Sequence, residues 1–418
     1  MIIKPFIQLR QTVETTLRGM TNISKPFITF FIETMEMYLS ISKKINFTQM
    51  ARFGRSCESR FRQNFRKAFD WIYFNRSLMS FPSNHLVTLA IDPCFISKAG
   101  KKTPGIGYFW SGCASAMKRG LEILGIAAVD ADTKQAVFLK AEQTFTEKLR
   151  GRKPGCTKGM KGPDSLVGWY LRMIMRNSRQ LLEVSKHVTA DAYFSKKSFA
   201  DGLLSLGFHL ISRFRDDVRL RYIYQGPKTG KRGRPKQYDG DVDIDSPDMN
   251  VFRKAEVSVD GECHNLFWAD VWAVGLGRRA RVVIADCPEP DKKTQKRKVF
   301  FSTDLKLSAV SIFKAYRSRF QIEFCYRDAK QMTGLTHCQA RNREALAFAF
   351  NMSLASVNIA RAIAAMNGLN LSVGSIKTLM HNASMLERFI SMSGCRPYLH
   401  LNHNDFKELL FYGVRDAA

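Results

Sequence analysis

Residues Tyr316–Lys330 read YRSRFQIEFCYRDAK. The stretch holds neither Gly nor Pro and an Ala precedes it, so helix is the local expectation. At ~100° per residue, Tyr316, Arg319, Glu323 and Lys330 then share a stripe roughly 60° wide. One face would carry an aromatic ring, a cation, a carboxylate and a second cation over about four turns. Phe320, Ile322 and Phe324 fall on other faces and are expected to hold the helix in a core. An exposed ion-pair ladder is the plainer alternative, because Arg319 and Arg327 stand at i−4 and i+4 of Glu323.

Two carboxylates upstream sit in apolar settings. Asp92 ends the run HLVTLAID that starts at His85, and Asp191 follows HVTA, which starts at His187. Alternating Val, Leu, Ala and Ile before each Asp predicts a buried strand that delivers a carboxylate at its end. A turn Asp is the alternative for either one. Asp130 and Asp132, in VDADTKQAVFL, read as such hairpin-turn residues. Three separated carboxylates, Asp92, Asp191 and Glu323, can hold two divalent cations for phosphoryl transfer.

The spacing Tyr316-x2-Arg319-x3-Glu323-x6-Lys330 resembles the Y-x2-R-x3-E-x6-K signature of a bacterial insertion-sequence family, the DDE transposases of insertion sequence family four. The text around it, STDLKLSAVSIFKAYRSRFQIEFCYRDAKQMTGL from Ser302, is similar too. Phe320 departs from the family's usual Trp and leaves the polar stripe intact. The resemblance covers roughly residues 85–345. It implies an RNase H-like α/β core, catalytic and metal-binding roles for Asp92, Asp191 and Glu323, and two Mg²⁺ ions, with Mn²⁺ as a substitute. It implies DNA contacts by Tyr316, Arg319 and Lys330, and a hairpin on the transposon end followed by strand transfer. It also implies a dimer in the complex, since two ends must be paired. The alternative from another class is an RNase H-like DNA-binding regulator that no longer cuts.

Composition agrees with a polyanionic partner. The chain carries 65 Lys+Arg against 37 Asp+Glu, a net charge of +28 over 418 residues. Such a field favours a polyanion, of which nucleic acid is the commonest, with an anionic membrane surface as the rival; double-stranded DNA is the partner that the resemblance implies. No run of 18 apolar residues argues for a membrane span, and the N-terminus lacks a cleavable apolar leader, so a cytoplasmic, nucleoid-associated protein is expected. Nine cysteines, with no C-x2-C pair, read as buried small side chains in a reducing compartment. His400 and His403 are too few for a metal site.

Taken in order, residues 1–80 are expected to form a helical DNA-binding domain, with 13 Lys+Arg against 5 Asp+Glu. Within them residues 46–67 have helix-turn-helix rhythm: a short helix over 48–53, a turn at Gly54 and a second helix capped by Ser56. Arg55, Ser59, Arg60, Arg62, Gln63 and Arg66 would face a duplex; an amphipathic pair with a solvated basic face is the alternative. Residues 85–217 read as the first part of the core: three antiparallel strands, a basic Gly-rich loop over 146–164, then helix, strand, helix, strand. The 132 positions between Asp191 and Glu323 exceed one crossover, so 218–301 are expected to be a β-rich insertion. There Arg232 and Arg234, in RGRP, would enter a minor groove. Trp268 and Trp272 are candidates to stack a displaced base, or core residues. Residues 302–365 complete the core, ending in a long apolar helix over 345–363, and 366–418 form a helical C-terminal region with short helices at 375–381 and 385–392.

Overall fold

The computed structural model describes residues 4–144, 165–227, 235–287, 296–392 and 404–415. Five helices come first: α1 (Lys4–Arg18), α2 (Lys25–Ser40), α3 (Phe47–Phe53), α4 (Glu58–Asn64) and α5 (Trp71–Arg76). Caps fix their starts: Asn46 accepts the Gln49 N–H at 2.9 Å and Asp70 the Tyr73 N–H at 3.0 Å. The second helix of the 46–67 pair begins one residue later than the sequence suggests. Its N-cap is Cys57, because the Ser56 hydroxyl and N–H both bond the buried Glu33 carboxylate.

Next come β1 (Val87–Ser97), β2 (Gly107–Ser111), β3 (Ala116–Asp130) and β4 (Ala136–Gln143). Here β2 and the first half of β3 make a hairpin, so the expected three strands are four. The turn between β3 and β4 is the Asp130 turn: its Oδ1 accepts the N–H groups of Asp132 and Thr133 at 2.8 and 3.2 Å. Then follow α6 (Leu166–Leu182), β5 (His187–Thr189), α7 (Lys197–Ser205) and β6 (His209–Arg213). The antiparallel β4–β3–β1 group continues into β5 and β6, both parallel to β1. Antiparallel strands followed by parallel ones, with helices on both faces, are consistent with an RNase H-like core.

The stretch from 218 does not form a separate lobe. Its strands β7 (Leu220–Ile223), β8 (Tyr238–Asp241), β9 (Arg253–Val259), β10 (Glu262–Ala273), β11 (Arg278–Cys287) and β12 (Lys296–Ser302) extend the same sheet. The join is β12 beside β6, antiparallel from Phe300–Arg213 to Ser302–Ile211, giving twelve strands in one sheet.

Last are α8 (Ala309–Ser318), α9 (Gln321–Gln331), α10 (Arg343–Met366), α11 (Val373–Met392) and α12 (Asn404–Phe411). Two expectations change. The single helix over 316–330 is broken at Arg319–Phe320. There the Ser318 hydroxyl bonds back to Ala315 O at 3.0 Å, and i→i+3 bonds (Ile322 N to Arg319 O, Glu323 N to Phe320 O) replace the α-helical ladder. Conversely, 375–381 and 385–392 are one helix, α11, because its apolar side chains Ile376, Leu379, Met380 and Ala383 stay buried through the polar Asn382–Ser384 region.

One core cluster joins α1–α5 to α9–α12 and to one face of β1, β3 and β4. Its centre is aromatic: Phe348 of α10 lies 4.7 Å from Phe65 and 5.1 Å from Trp71, centroid to centroid. A second cluster, with α6 and α7, covers the other face. Helix α10 is long and apolar enough to cross a membrane, and 83% of its most apolar window is buried inside the protein. The cysteine expectation is corrected in part: Cys94, Cys325 and Cys338 are buried, but Cys57, Cys113 and Cys263 are exposed. The basic loop over 146–164, Arg232, Arg234, His400 and His403 lie outside the described residues.

Candidate active site

Asp92 stands inside β1 rather than at its end, facing Gly125 of β3. The parallel neighbour β5 pairs β1 only at Leu89 and Ala90, so β1 is flanked on one side alone from Asp92 onward, which makes room for Pro93. Asp191 comes two residues after β5, at the start of a single 3₁₀ turn, where its Oδ1 accepts the Tyr193 N–H at 3.0 Å. Glu323 is in the first turn of α9, which crosses β1, β3 and β4.

Arg319 ties this geometry together. From the break between α8 and α9 its guanidinium reaches Asp92 Oδ1 at 3.5 Å and Glu323 Oε1 at 3.2 Å, while its buried Nε has no hydrogen-bond partner among the described residues. Burial pushes the Asp92 carboxyl up to about 7; Arg319 opposes this, and the charges of Glu323 and Asp191 add to it. Burial also raises Glu323, against Arg319 and with help from Asp191. The three acids therefore share one electrostatic neighbourhood, with one guanidinium among them. Their hard oxygens are of the kind a divalent cation takes, while the three do not all lie within 4.8 Å of one another.

The rest of the stripe converges on the same place. Tyr316 is half-buried against Phe300, 5.0 Å between centroids, with Arg319 over its ring and its hydroxyl within the field of Asp191. The Lys330 ammonium reaches Cys94, two residues past Asp92. Of the three apolar residues expected to anchor the helix, Ile322 is buried, but Phe320 is 47% exposed because the break turns it outward.

The sequence reading missed two neighbours. Tyr326 donates its hydroxyl to the Asp92 carbonyl at 2.7 Å. A Cβ on Gly125 would lie 2.0 Å from that hydroxyl and 2.5 Å from the Phe138 ring, so α9 can dock here only over a glycine. The signal was a lone Gly within the apolar run EILGIAAV. The other is Glu122, a buried carboxylate pushed up by desolvation, which accepts the Tyr170 hydroxyl at 2.7 Å and acts on Asp92 through its charge.

Other candidates lie apart. Arg60 is half-buried and donates to Pro26 O at 3.3 Å, while Arg62 pairs with Glu58 and covers the Phe47 ring. Trp268 is half-buried between the guanidiniums of Arg253 and Arg281, 5.3 and 4.7 Å from the ring centroid, and Trp272 packs on Tyr238 at 5.5 Å. Among the described residues, one group of His, Asp and Glu ligand atoms lies wholly within 4.8 Å: His85, Asp130 and Asp132. Its Asp130 oxygens are taken by the turn and by His85, and Asp132 pairs with Lys314, so it serves the hairpin.

The chain matches the family model described as DDE superfamily endonuclease over residues 66–256 and that described as transposase DDE domain over residues 170–359. No curated protein matches the chain. The first match contains Asp92 and Asp191, the second Asp191 and Glu323. Domains of this kind imply DNA binding and a nuclease-type enzyme, and the family generally uses divalent metals. Together the two matches support a DDE transposase.

Proposed function

We propose that the chain is a cut-and-paste transposase of the insertion-sequence-four type, which cleaves at transposon ends and joins them to target DNA. The observation that carries this reading is Arg319 held between Asp92 and Glu323 with Asp191 close enough to act on both. In this reading Asp92, Asp191 and Glu323 are the catalytic and metal-binding residues. Divalent cations held there, two Mg²⁺ or Mn²⁺ per site, supply charge neutralisation and activate a water or a 3′-hydroxyl for in-line displacement at phosphorus. The chain's own side chains position the strand. Arg319 trades carboxylate contacts for phosphate oxygens, Lys330 holds a neighbouring phosphate, and Tyr316 bonds or stacks beside them. The first cut frees a 3′-hydroxyl, which attacks the opposite strand to leave a hairpin; reopening it regenerates the 3′-hydroxyl that joins the target.

Residues 1–80 then recognise transposon ends through Arg60 and its exposed neighbours, Arg232 and Arg234 reach a minor groove, and Trp268 stacks a displaced base once Arg253 and Arg281 move aside. Two copies would pair the two ends. The test is cleavage of a labelled transposon-end duplex with Mg²⁺, comparing the native chain with Asp191→Asn. A nick and then a hairpin from the native chain, with binding but no cutting by the variant, is expected. Binding without cutting by both would leave only a DNA-binding protein.

A further inference from the structure

Next to Asp191, with Ala192 in its lining, is a cavity of about 410 Å³, large enough for a nucleotide-sized group. Its walls come from the segment after Asp191, from the β6–β7 connection and from the turn between β10 and β11. Three cations line it: Lys196, Arg215 and Arg219. Arg219 is neutralised by Asp241 at 3.0 Å. Lys196 and Arg215 have no carboxylate within ion-pair distance among the described residues. The Lys196 ammonium sits 3.7 Å from the Tyr193 ring centroid. Burial and Arg215 both press on its charge, and only Asp191 favours it. Asp217 stands on the same wall, leaving the lining positive. At the β10–β11 turn a Cβ on Gly275 would meet nothing within 4 Å among the described residues, so no described side chain covers the wall there.

Two like charges without an ion-pair partner among the described residues, in a lining that stays positive with Asp217 counted, call for a polyanion beside a candidate catalytic carboxylate. We propose that this cavity binds a phosphodiester of the DNA strand next to the scissile bond, with Lys196 and Arg215 holding its oxygens. The proposal rests on the transposase reading and adds a grip beside Asp191 to those of Tyr316 and Arg319.

The test is the salt dependence of binding to a mixed-sequence duplex, followed by fluorescence anisotropy. Lys196→Gln and Arg215→Gln should each lower the slope of log K against log salt by about 0.9. Lys196→Arg should keep the native slope. Lys197→Gln should also keep it, since Lys197 pairs with Asp201 and does not line the cavity. Native slopes in both Gln variants would overturn the proposal while leaving the transposase reading, which stands or falls on the Asp191→Asn cleavage test. A second arm adds inorganic phosphate at constant ionic strength. Stronger displacement of DNA from the native chain than from the Lys196→Gln, Arg215→Gln double variant puts phosphate and strand in competition at the cavity and supports the assignment; equal displacement would mean that the cavity holds no part of the strand, and the assignment falls.

Discussion

A methyl group at position 125 would push α9 away from the strand that carries Asp92. Gly125→Ala is therefore expected to destabilise the fold by about 1–3 kcal/mol, measured by urea unfolding. It should also reduce cleavage, because Glu323 and Arg319 ride on the displaced helix. Tyr326→Phe removes the 2.7 Å bond to the Asp92 carbonyl and should cost about 1–2 kcal/mol. In the double variant the two losses should add to less than their sum, since the hydroxyl that collides with the new methyl is gone. Strict additivity would mean that the Phe138 ring, not Tyr326, sets the requirement for glycine. Asp92 and Asp191 could be placed in or just after a strand from the sequence, because alternating apolar residues announce β1 and β5. Arg319 between Asp92 and Glu323 could not, since a 227-residue separation leaves no local trace of that contact.

At the scale of elements, the exposed edge of β4 is closed by side chains of α10 rather than by another strand. Asn351 bonds both Ala141 N and O, and Asn358 both Phe138 N and O, at 2.8–3.0 Å. Asn358→Ala should leave two buried backbone groups and Asn75 short of partners, costing about 3 kcal/mol in the same unfolding measurement. The long apolar stretch predicted α10 but not what Asn351 and Asn358 would bond, since their partners lie more than 200 residues away. The helix break at Arg319 was hidden for a related reason. Every residue there is a tolerable helix former, and tertiary contacts decide the outcome.

A second element-level pair joins β5 to the segment after β12. His187 Nε2 and Asp304 Oδ2 are 3.0 Å apart. Burial alone would raise Asp304, but His187 and the Lys306 N–H outweigh it and hold the carboxyl at about 2. Burial pushes the His187 imidazole down, against the pull of Asp304. Both folded-state values lie below the unfolded ones, so both groups contribute stability at neutral pH that is lost on acidification. The melting temperature should begin to fall as pH drops through about 6.5 and again from about 4 towards 2. Asp304→Asn should flatten the acid limb, and an unchanged profile would assign acid unfolding to other groups.

For the whole molecule, a net charge of +28 predicts binding to any duplex that weakens steeply with salt. If the protein neutralises six to ten phosphates, affinity should fall by about 10³–10⁵ between 50 and 200 mM salt, and by less if the excess charge lies away from the DNA face. The sequence showed the sign of this field plainly. It did not show that the insertion would continue the main sheet, because hydrogen-bonding between β6 and β12 joins segments nearly 90 residues apart and a strand's pattern is silent on which edge it will find.

The shared aromatic core of the first and last helices has a consequence for synthesis. Phe30 and Phe31 of α2 lie 6.3 Å from Phe348, and 318 residues separate Phe30 from that partner. At about 5–20 residues per second, the ribosome leaves these rings without their partner for roughly 15–60 s. The nascent N-terminal helices therefore wait, apolar and incomplete, while the intervening sheet is made, and a chain stopped before α10 would release them in a state that invites aggregation or chaperone capture.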